Sequence, residues 1–385
     1  GKTRLTIFNL WDTFFPRIFP MNGITLKFRQ YQLKFKTPFR LHNRNYQYRE
    51  GFIIRLTDPS GLSGLGEAAP LPGFSQEHLE TVRNELAVLR QDFATGQLSQ
   101  QPDNELKSLT EREEFSPSVR FGTLTAYHDL LAKKEQMRLS AHITSNAADK
   151  ITVNGLIGLI PVEEAIRKAT GFIHHGYKIL KVKLGRPDVE EDFRLLQAIT
   201  GLTGNTIPLR PDVNQAWTFE EAKEYLARLA AFHFNIDYIE QPLPSSEIDS
   251  LKKLNQVSPV PIAADESLNF VENLEDLIEE QSIPVLIWKP SVYGTKIFHE
   301  KIQEALQKND IRVIVSSGFE SIIGTAGLCH YAAACFPAEV HGLGTADIFE
   351  KNVIDSDGYN VENGTIRLPQ DPGIGFDNII RDEIK

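Results

Sequence analysis

Cysteine is scarce: the 385-residue chain has two, Cys329 and Cys335. They stand six apart in an apolar, alanine-rich stretch that reads as helical, which argues against a disulfide framework and predicts buried thiols in a reducing compartment. Long apolar runs are missing too. None approaches the ~18 to 20 residues of a membrane span, so a soluble, cytoplasmic protein is expected, with no membrane partner. Basic clusters are absent; 41 Lys and Arg stand against 51 Asp and Glu, a net charge of −10. That balance argues against a nucleic-acid partner and leaves small molecules. The ten histidines show no HExxH and no Cys/His ligand spacing, and neither GxSxG nor a P-loop occurs. The residues set no oligomeric state.

What is present is ordinary globular material, 41% hydrophobic and 24% charged, long enough for one large domain and a smaller one. From about residue 150, short β-branched runs alternate with helix-length amphipathic segments. Strands are expected to begin near Ile151, Tyr177, Ile207, Asp237, Pro261, Val285, Arg312 and Ala338, at intervals of 24 to 30 residues. This is the βαβα signature of a parallel sheet. Eight such strands, with no helix evident after the last, predict a closed (β/α)₇β TIM-like barrel over residues 150–348. Helices are expected at Val162 to His174, Thr218 to Ala231 and Thr295 to Gln307.

Residues 21–149 have an α+β texture. Alternation in Ile24 to Phe35 and Gly51 to Thr57 predicts antiparallel strands, followed by a Gly-rich turn over Ser60 to Gly66. Helical segments are expected around Gln76 to Phe93, Asn104 to Arg112 and Val119 to Glu135. The tail, 349–385, lacks the barrel repeat and is expected to return to this domain. Residues 1–20 precede the first methionine, Met21, and carry one acid, three bases and five aromatics. They read as an upstream extension or a targeting remnant, outside the fold.

Chemistry concentrates at the ends of the barrel strands, where α/β barrels keep their active sites. KILKVKLG carries Lys181 and Lys183, IPLRPDVN carries Asp212, DYIEQP carries Glu240, PIAADES carries Asp265 and VLIWKP carries Lys289. Lys181 and Lys183, two apart on a strand, face the same way into the barrel. Mutual repulsion and a nearby metal would lower their pKa and favour a neutral amine. Each carboxylate has an alternative role as a cap of the following helix, but three on consecutive strands are better explained by one shared cation. All-oxygen ligation suits a hard ion such as Mg²⁺. Glu266 is expected to support the site from outside the ligand set, and Asn214 to line it. Ser316, Ser317 and Gly318, in SSGFES, precede a helix whose N-terminal amides would suit a substrate carboxylate. Arg40 is placed for a second carboxylate.

The ordered set KVK, Asp, Glu, Asp, Lys resembles the enolase superfamily and, within it, the muconate-lactonizing subgroup, from Met21 onward. The resemblance implies that Asp212, Glu240 and Asp265 bind Mg²⁺, with Mn²⁺ as a substitute, and that Lys183 removes the proton α to a metal-bound carboxylate to give an enediolate. Lys181 would tune Lys183. Lys289 would be either a second acid/base or a fixed cation. The α+β domain would cap the barrel mouth, with loops Thr37 to Arg49 and Pro70 to Phe74 setting specificity.

FKTPFRLHNRNYQYREGFIIRL, GLGEAAPLPGFS and SSGFES are similar to the o-succinylbenzoate synthase family. That similarity implies a lyase dehydrating 2-succinyl-6-hydroxy-2,4-cyclohexadiene-1-carboxylate in menaquinone or phylloquinone biosynthesis. The alternatives are an N-acylamino acid racemase, a dipeptide epimerase or a muconate-type cycloisomerase. Dipeptide epimerases resemble one another in an Asp-x-Asp on strand eight; here Gly342, Leu343 and Gly344 stand there, and Asp347 comes later. A non-catalytic, metal-stabilised barrel would show a broken set, whereas all six positions are intact.

Overall fold

The computed structural model describes residues 23–41, 44–96, 112, 114–271, 274–354 and 356–376. The expected helix at Asn104 to Arg112 falls almost wholly outside them, as does the segment 1–20.

The chain opens with an antiparallel sheet of β1 (Thr25–Leu41), β2 (Arg44–Thr57) and β3 (Ser63–Ala68). The stretch expected to be a Gly-rich turn is largely strand. Gly64 and Gly66 belong to β3 because helix α2 (Pro117–Lys134) crosses there at backbone contact. A Cβ on Gly66 would stand 1.9 Å from the Gly122 carbonyl oxygen, and one on Gly64 would stand 2.0 Å from that of Ala126. Helix α1 (Leu79–Thr95) packs on the same sheet, and α3 (Leu139–Ile143) leads into the barrel.

The barrel strands appear where the apolar runs placed them, with one division. The first is broken at Asn154 into β4 (Lys150–Val153) and β5 (Gly155–Ile157). β5 pairs in parallel with β6 (Leu180–Lys183), followed in order by β7 (Leu209–Asp212), β8 (Ile239–Glu240), β9 (Ile262–Ala264), β10 (Val285–Trp288) and β11 (Arg312–Val315). β12 (Val340–His341) closes the ring. It pairs with β4 on one side and meets β11 through a parallel bridge, Ser316 to Gly342, on the other. Tyr238, Ala263, Val285, Ile287 and Ile314 fill a small apolar core of their own.

The outer helices include α4 (Val162–His174), α5 (Val189–Thr203), α6 (Phe219–Ala231) and α7 (Ile248–Val257). α4 has the expected bounds. α6 starts after Thr218, whose hydroxyl forms a capping box with Glu221. α8 (Leu274–Glu279) and α9 (Pro290–Tyr293) are short. The helix expected at Thr295 to Gln307 is divided into a 3₁₀ turn (Lys296–Phe298) and α10 (Glu300–Lys308). α11 (Ile322–Cys335) is buried along nearly its whole length and carries both cysteines as free thiols.

Among the described residues, no barrel helix follows β12. The tail first bridges to the cap, Phe349 opposite Phe35. It then adds the hairpin β13 (Val361–Glu362) and β14 (Thr365–Arg367) to β4, and returns to α2, where the Ile374 amide donates to Asp129 at 2.7 Å. Among the described residues, no helix is long and apolar enough to cross a membrane.

Candidate active site

Strand register brings the predicted groups to one mouth. Lys183 is paired with Asp212 on β7, and Asp212 with Glu240 on β8, so the three side chains stand side by side on the inner face. Asp265 and Lys289 immediately follow β9 and β10 at the same end.

The contacts interleave cations and anions. Lys181 Nζ donates to Glu240 Oε1 at 2.6 Å and lies 2.8 Å from Asp212 Oδ2. Lys183 Nζ donates to Asp212 Oδ2 at 2.6 Å and also to Asn214. Lys289 Nζ bonds both oxygens of Asp265, which also accepts the Tyr293 hydroxyl at 2.7 Å. Asn214 continues the chain by donating to Glu266 Oε1 at 2.9 Å. Glu266 and Asn214 are thus linked to the lysine–carboxylate chain through each other.

Burial shapes the charges. Asp212 and Glu240 are fully enclosed. Burial, with the neighbouring Asp212 charge added, raises the Glu240 pKa to about 8, despite the facing Lys181. Burial likewise raises Glu266, to about 7, with Asp265 the next cause. At Asp212, burial opposes ionisation, but Lys181 and Lys183 outweigh it and hold the carboxyl below its ordinary range. At Lys181, burial acts downward, but Asp212 and Glu240 push its pKa well above the ordinary value. Two carboxylates in contact outweigh one like-charged neighbour.

Among the described residues, no group of three His, Cys, Asp or Glu side chains already stands as a metal cluster, because lysines are interposed. The donor chemistry nonetheless fits a hard divalent cation. Asp212, Glu240 and Asp265 offer only oxygen, and Glu240 Oε2 is buried without a hydrogen-bond partner. Glu266 Oε2 is in the same condition.

The SSGFES segment departs from expectation. Ser317 Oγ donates to Glu320 Oε2 at 2.7 Å, and the Gly318 amide donates to both Glu320 oxygens at 2.8 and 3.0 Å. At the start of α11, the Ser321 and Gly324 amides donate to Glu67 of the cap at 2.9 Å each, and the Ser321 hydroxyl also bonds it. The helix N-terminus therefore does receive an anion, but an internal one. Ser316 bridges to Gly342 in the barrel closure, and its amide donates to Trp288 O of β10 at 2.9 Å. Arg40 lies on β1 opposite Asn45, and its side chain is outside the described part.

Sequence reasoning missed Tyr293 and Glu67, and named only the loops that carry Arg49 and Phe74. The Phe74 ring lies 5.0 Å from Lys289 Nζ. Glu67 carried a usable signal, a single acid in an otherwise apolar strand.

An eight-stranded α/β barrel with alternating lysines and carboxylates at its C-terminal mouth, under an α+β cap, defines a narrow class of protein. The chain belongs to the enolase superfamily: residues 164–379, more than half of its length, match the family Enolase C-terminal domain-like, and residues 24–130 match MenC, N-terminal domain. It is 28% identical over 353 residues to the L-Lys-D/L-Arg epimerase of Methylococcus capsulatus, covering 88% of this chain and 94% of that protein. It is 26% identical over 362 residues to the o-succinylbenzoate synthase of Desulfotalea psychrophila, covering 86% and 96%. The structure of the M. capsulatus dipeptide epimerase complexed with Mg and the dipeptide L-Arg-D-Lys matches with a TM-score of 0.78 at 26% identity, over 92% of this chain and 99% of that one. Members of the superfamily bind Mg²⁺.

Proposed function

We propose that this protein is an o-succinylbenzoate synthase, a lyase that removes water from 2-succinyl-6-hydroxy-2,4-cyclohexadiene-1-carboxylate. The observation that carries the proposal is the asymmetry of the two lysines across the mouth. Lys289 is buried, bonded to Asp265 and set against the face of Phe74. That is the environment of a fixed cation. Lys183 is the more accessible, its side chain 27% exposed, as suits a group that takes and returns a proton. A dehydration on one face needs only one such group, whereas a racemase needs two.

Asp212, Glu240 and Asp265 would hold Mg²⁺, which when bound supplies Lewis-acid stabilisation of charge on the substrate carboxylate. Lys183, as the neutral amine, takes the proton α to the carboxylate; the C–H electron pair passes into the ring and its carboxylate, next to the Lys289 charge. The ring then expels the hydroxyl with its electron pair, and Lys183 returns the proton to it. Water leaves, the ring becomes aromatic and Lys183 is neutral again. Lys181 keeps Asp212 and Glu240 in place through its two contacts.

The end of β12 also supports this reading over a dipeptide substrate. No acid stands at Gly342, Leu343 or Gly344, and Leu343 is buried. The next acid, Asp347, is largely exposed and pairs with Lys36 of the cap. The match of the cap region to MenC, N-terminal domain supports it as well. A second reading, 1,1-proton transfer on an amino-acid derivative, is favoured by the epimerases among the relatives.

The test is an ultraviolet assay of diene loss with Mg²⁺. Wild type should turn the substrate over, and Lys183→Ala should abolish turnover while Mg²⁺ binding persists. Lys289→Arg should retain part of the dehydration, because it keeps the charge. Full activity in Lys183→Ala would refute the base assignment. No turnover by folded, metal-loaded wild type would move the function to the second reading.

A further inference from the structure

Arg49, on cap strand β2, is 2% exposed. Every hydrogen bond it makes goes to a backbone carbonyl. Nη1 donates to Glu50 O at 2.7 Å and Pro70 O at 2.8 Å, and Nη2 donates to Ala69 O at 2.8 Å. Nε is shared between Phe319 O at 3.1 Å and Gly318 O at 3.3 Å. A buried guanidinium with five carbonyls around its fork is an expensive way to fill space, because any lost acceptor leaves a charged donor unsatisfied. What it joins is specific: the cap loop 69–75 and the barrel loop that follows β11.

The cap loop is held at several other points as well. At its start, Glu67 is fixed by α11 and by Tyr31, whose hydroxyl donates to Glu67 Oε1 at 2.5 Å. Gly51, opposite Tyr31, leaves room for this contact; a Cβ there would stand 2.7 Å from the Tyr31 oxygen. Within the loop, the Phe74 and Ser75 amides donate to Leu71 O at 3.0 and 2.8 Å, and the Leu71 amide donates to Ser75 Oγ at 2.9 Å. At its end, Asn269 Nδ2, from the loop after β9, donates to Phe74 O at 3.1 Å. The result of this bracing is the position of one ring, Phe74, against Lys289.

We propose that Arg49 is a positioning residue: by clasping the carbonyls of 69–70 and 318–319 it presets the cap loop so that Phe74 bears on Lys289 before any substrate arrives. This loop of the cap is thereby built into the reacting centre before substrate binds. Lysine cannot replace arginine here, since an ammonium has three donors on one atom and cannot span carbonyls on two loops.

The inference rests on the dehydratase reading through Lys289, and the experiment separates the two. The full chain is prepared with Mg²⁺ as wild type, Arg49→Lys, Phe74→Leu and the double variant. Amide hydrogen exchange, which needs no substrate, should show 69–75 and 317–320 losing protection together in Arg49→Lys, by about tenfold or more. Phe74→Leu should leave 317–320 unchanged. In the diene assay, each single variant should lower kcat by about tenfold or more with a smaller change in KM. The double variant should be no worse than the poorer single, because both act through one contact. Phe74→Tyr, which keeps the ring face, should recover most of the rate. Wild-type kcat in Phe74→Leu, multiplicative losses in the double variant, or unaltered exchange in Arg49→Lys would each overturn the proposal. If wild type itself does not dehydrate, the dehydratase reading falls, and the exchange result alone upholds or overturns the clasp.

Discussion

His341 and His330 show what a buried side chain contributes when it is kept neutral. His341 Nδ1 accepts the Val315 amide at 3.1 Å, and Nε2 donates to Phe336 O at 3.0 Å. His330 Nδ1 accepts the Ser140 amide at 3.1 Å. Burial lowers both pKa values to about 3, against ~6.5 in an unfolded chain. Between those values the unfolded state holds the extra proton, so each histidine costs no stability above pH ~6.5 and up to about 1.4 kcal/mol per pH unit below it. Urea unfolding at pH 7 and pH 5 should show this loss, and His341→Gln should remove one proton's share of the slope. An unchanged slope in the variant would refute the assignment. At this scale the sequence was legible where a charge interrupted an apolar strand, as with Lys289. Glu67 gave the same signal without its meaning, because its partner Ser321 lies 254 residues away.

The elements divide by whether their glycines are required. Gly66 of β3 meets the backbone of α2, so Gly66→Ala must push a strand off a helix; a loss of about 3 kcal/mol or more, or failure to fold, is expected. Gly201, on α5, has nothing within 4 Å of a built Cβ and an ordinary helical backbone. Gly201→Ala should stabilise by about 0.5–1 kcal/mol. Thermal denaturation of the two variants checks both signs. The barrel strands and α4 and α6 were readable, since strands buried on both faces are apolar runs and amphipathic helices have a period. The break of the first strand at Asn154 was not. It depends on β4 pairing with β12 and β14 while β5 pairs with β6, a division of partners that no local pattern carries. The SSGFES turn was read as a seat for a substrate carboxylate, whereas the anion at the start of that helix is Glu67, supplied by a distant element.

At the scale of the molecule, one apolar core runs from Ile24 and Phe52 in the cap through Phe121 and Tyr331 to Leu286 in the barrel. Tyr331 Oη and His128 Nδ1, on α11 and α2, lie 2.9 Å apart across the same boundary. Cap and barrel should therefore unfold in one transition. Far-ultraviolet circular dichroism and the fluorescence of the buried Trp217 and Trp288 should give coincident urea curves; a separate early transition would show that the cap is an independent unit. The α+β texture of residues 21–149 pointed to a second body, but the continuity of the core was illegible because it is made between segments that never adjoin in sequence.

The carboxylate that the cap lends to α11 also sets a timetable for synthesis. Glu67 leaves the ribosome long before the amides of Ser321 and Gly324, 254 and 257 residues later. At ~5–20 residues per second, this buried acid waits roughly 13 to 50 s for its donors on α11. During that interval the nascent cap carries an exposed ionic edge, and only the last sixth or so of the chain, from Ser321 on, can seal it.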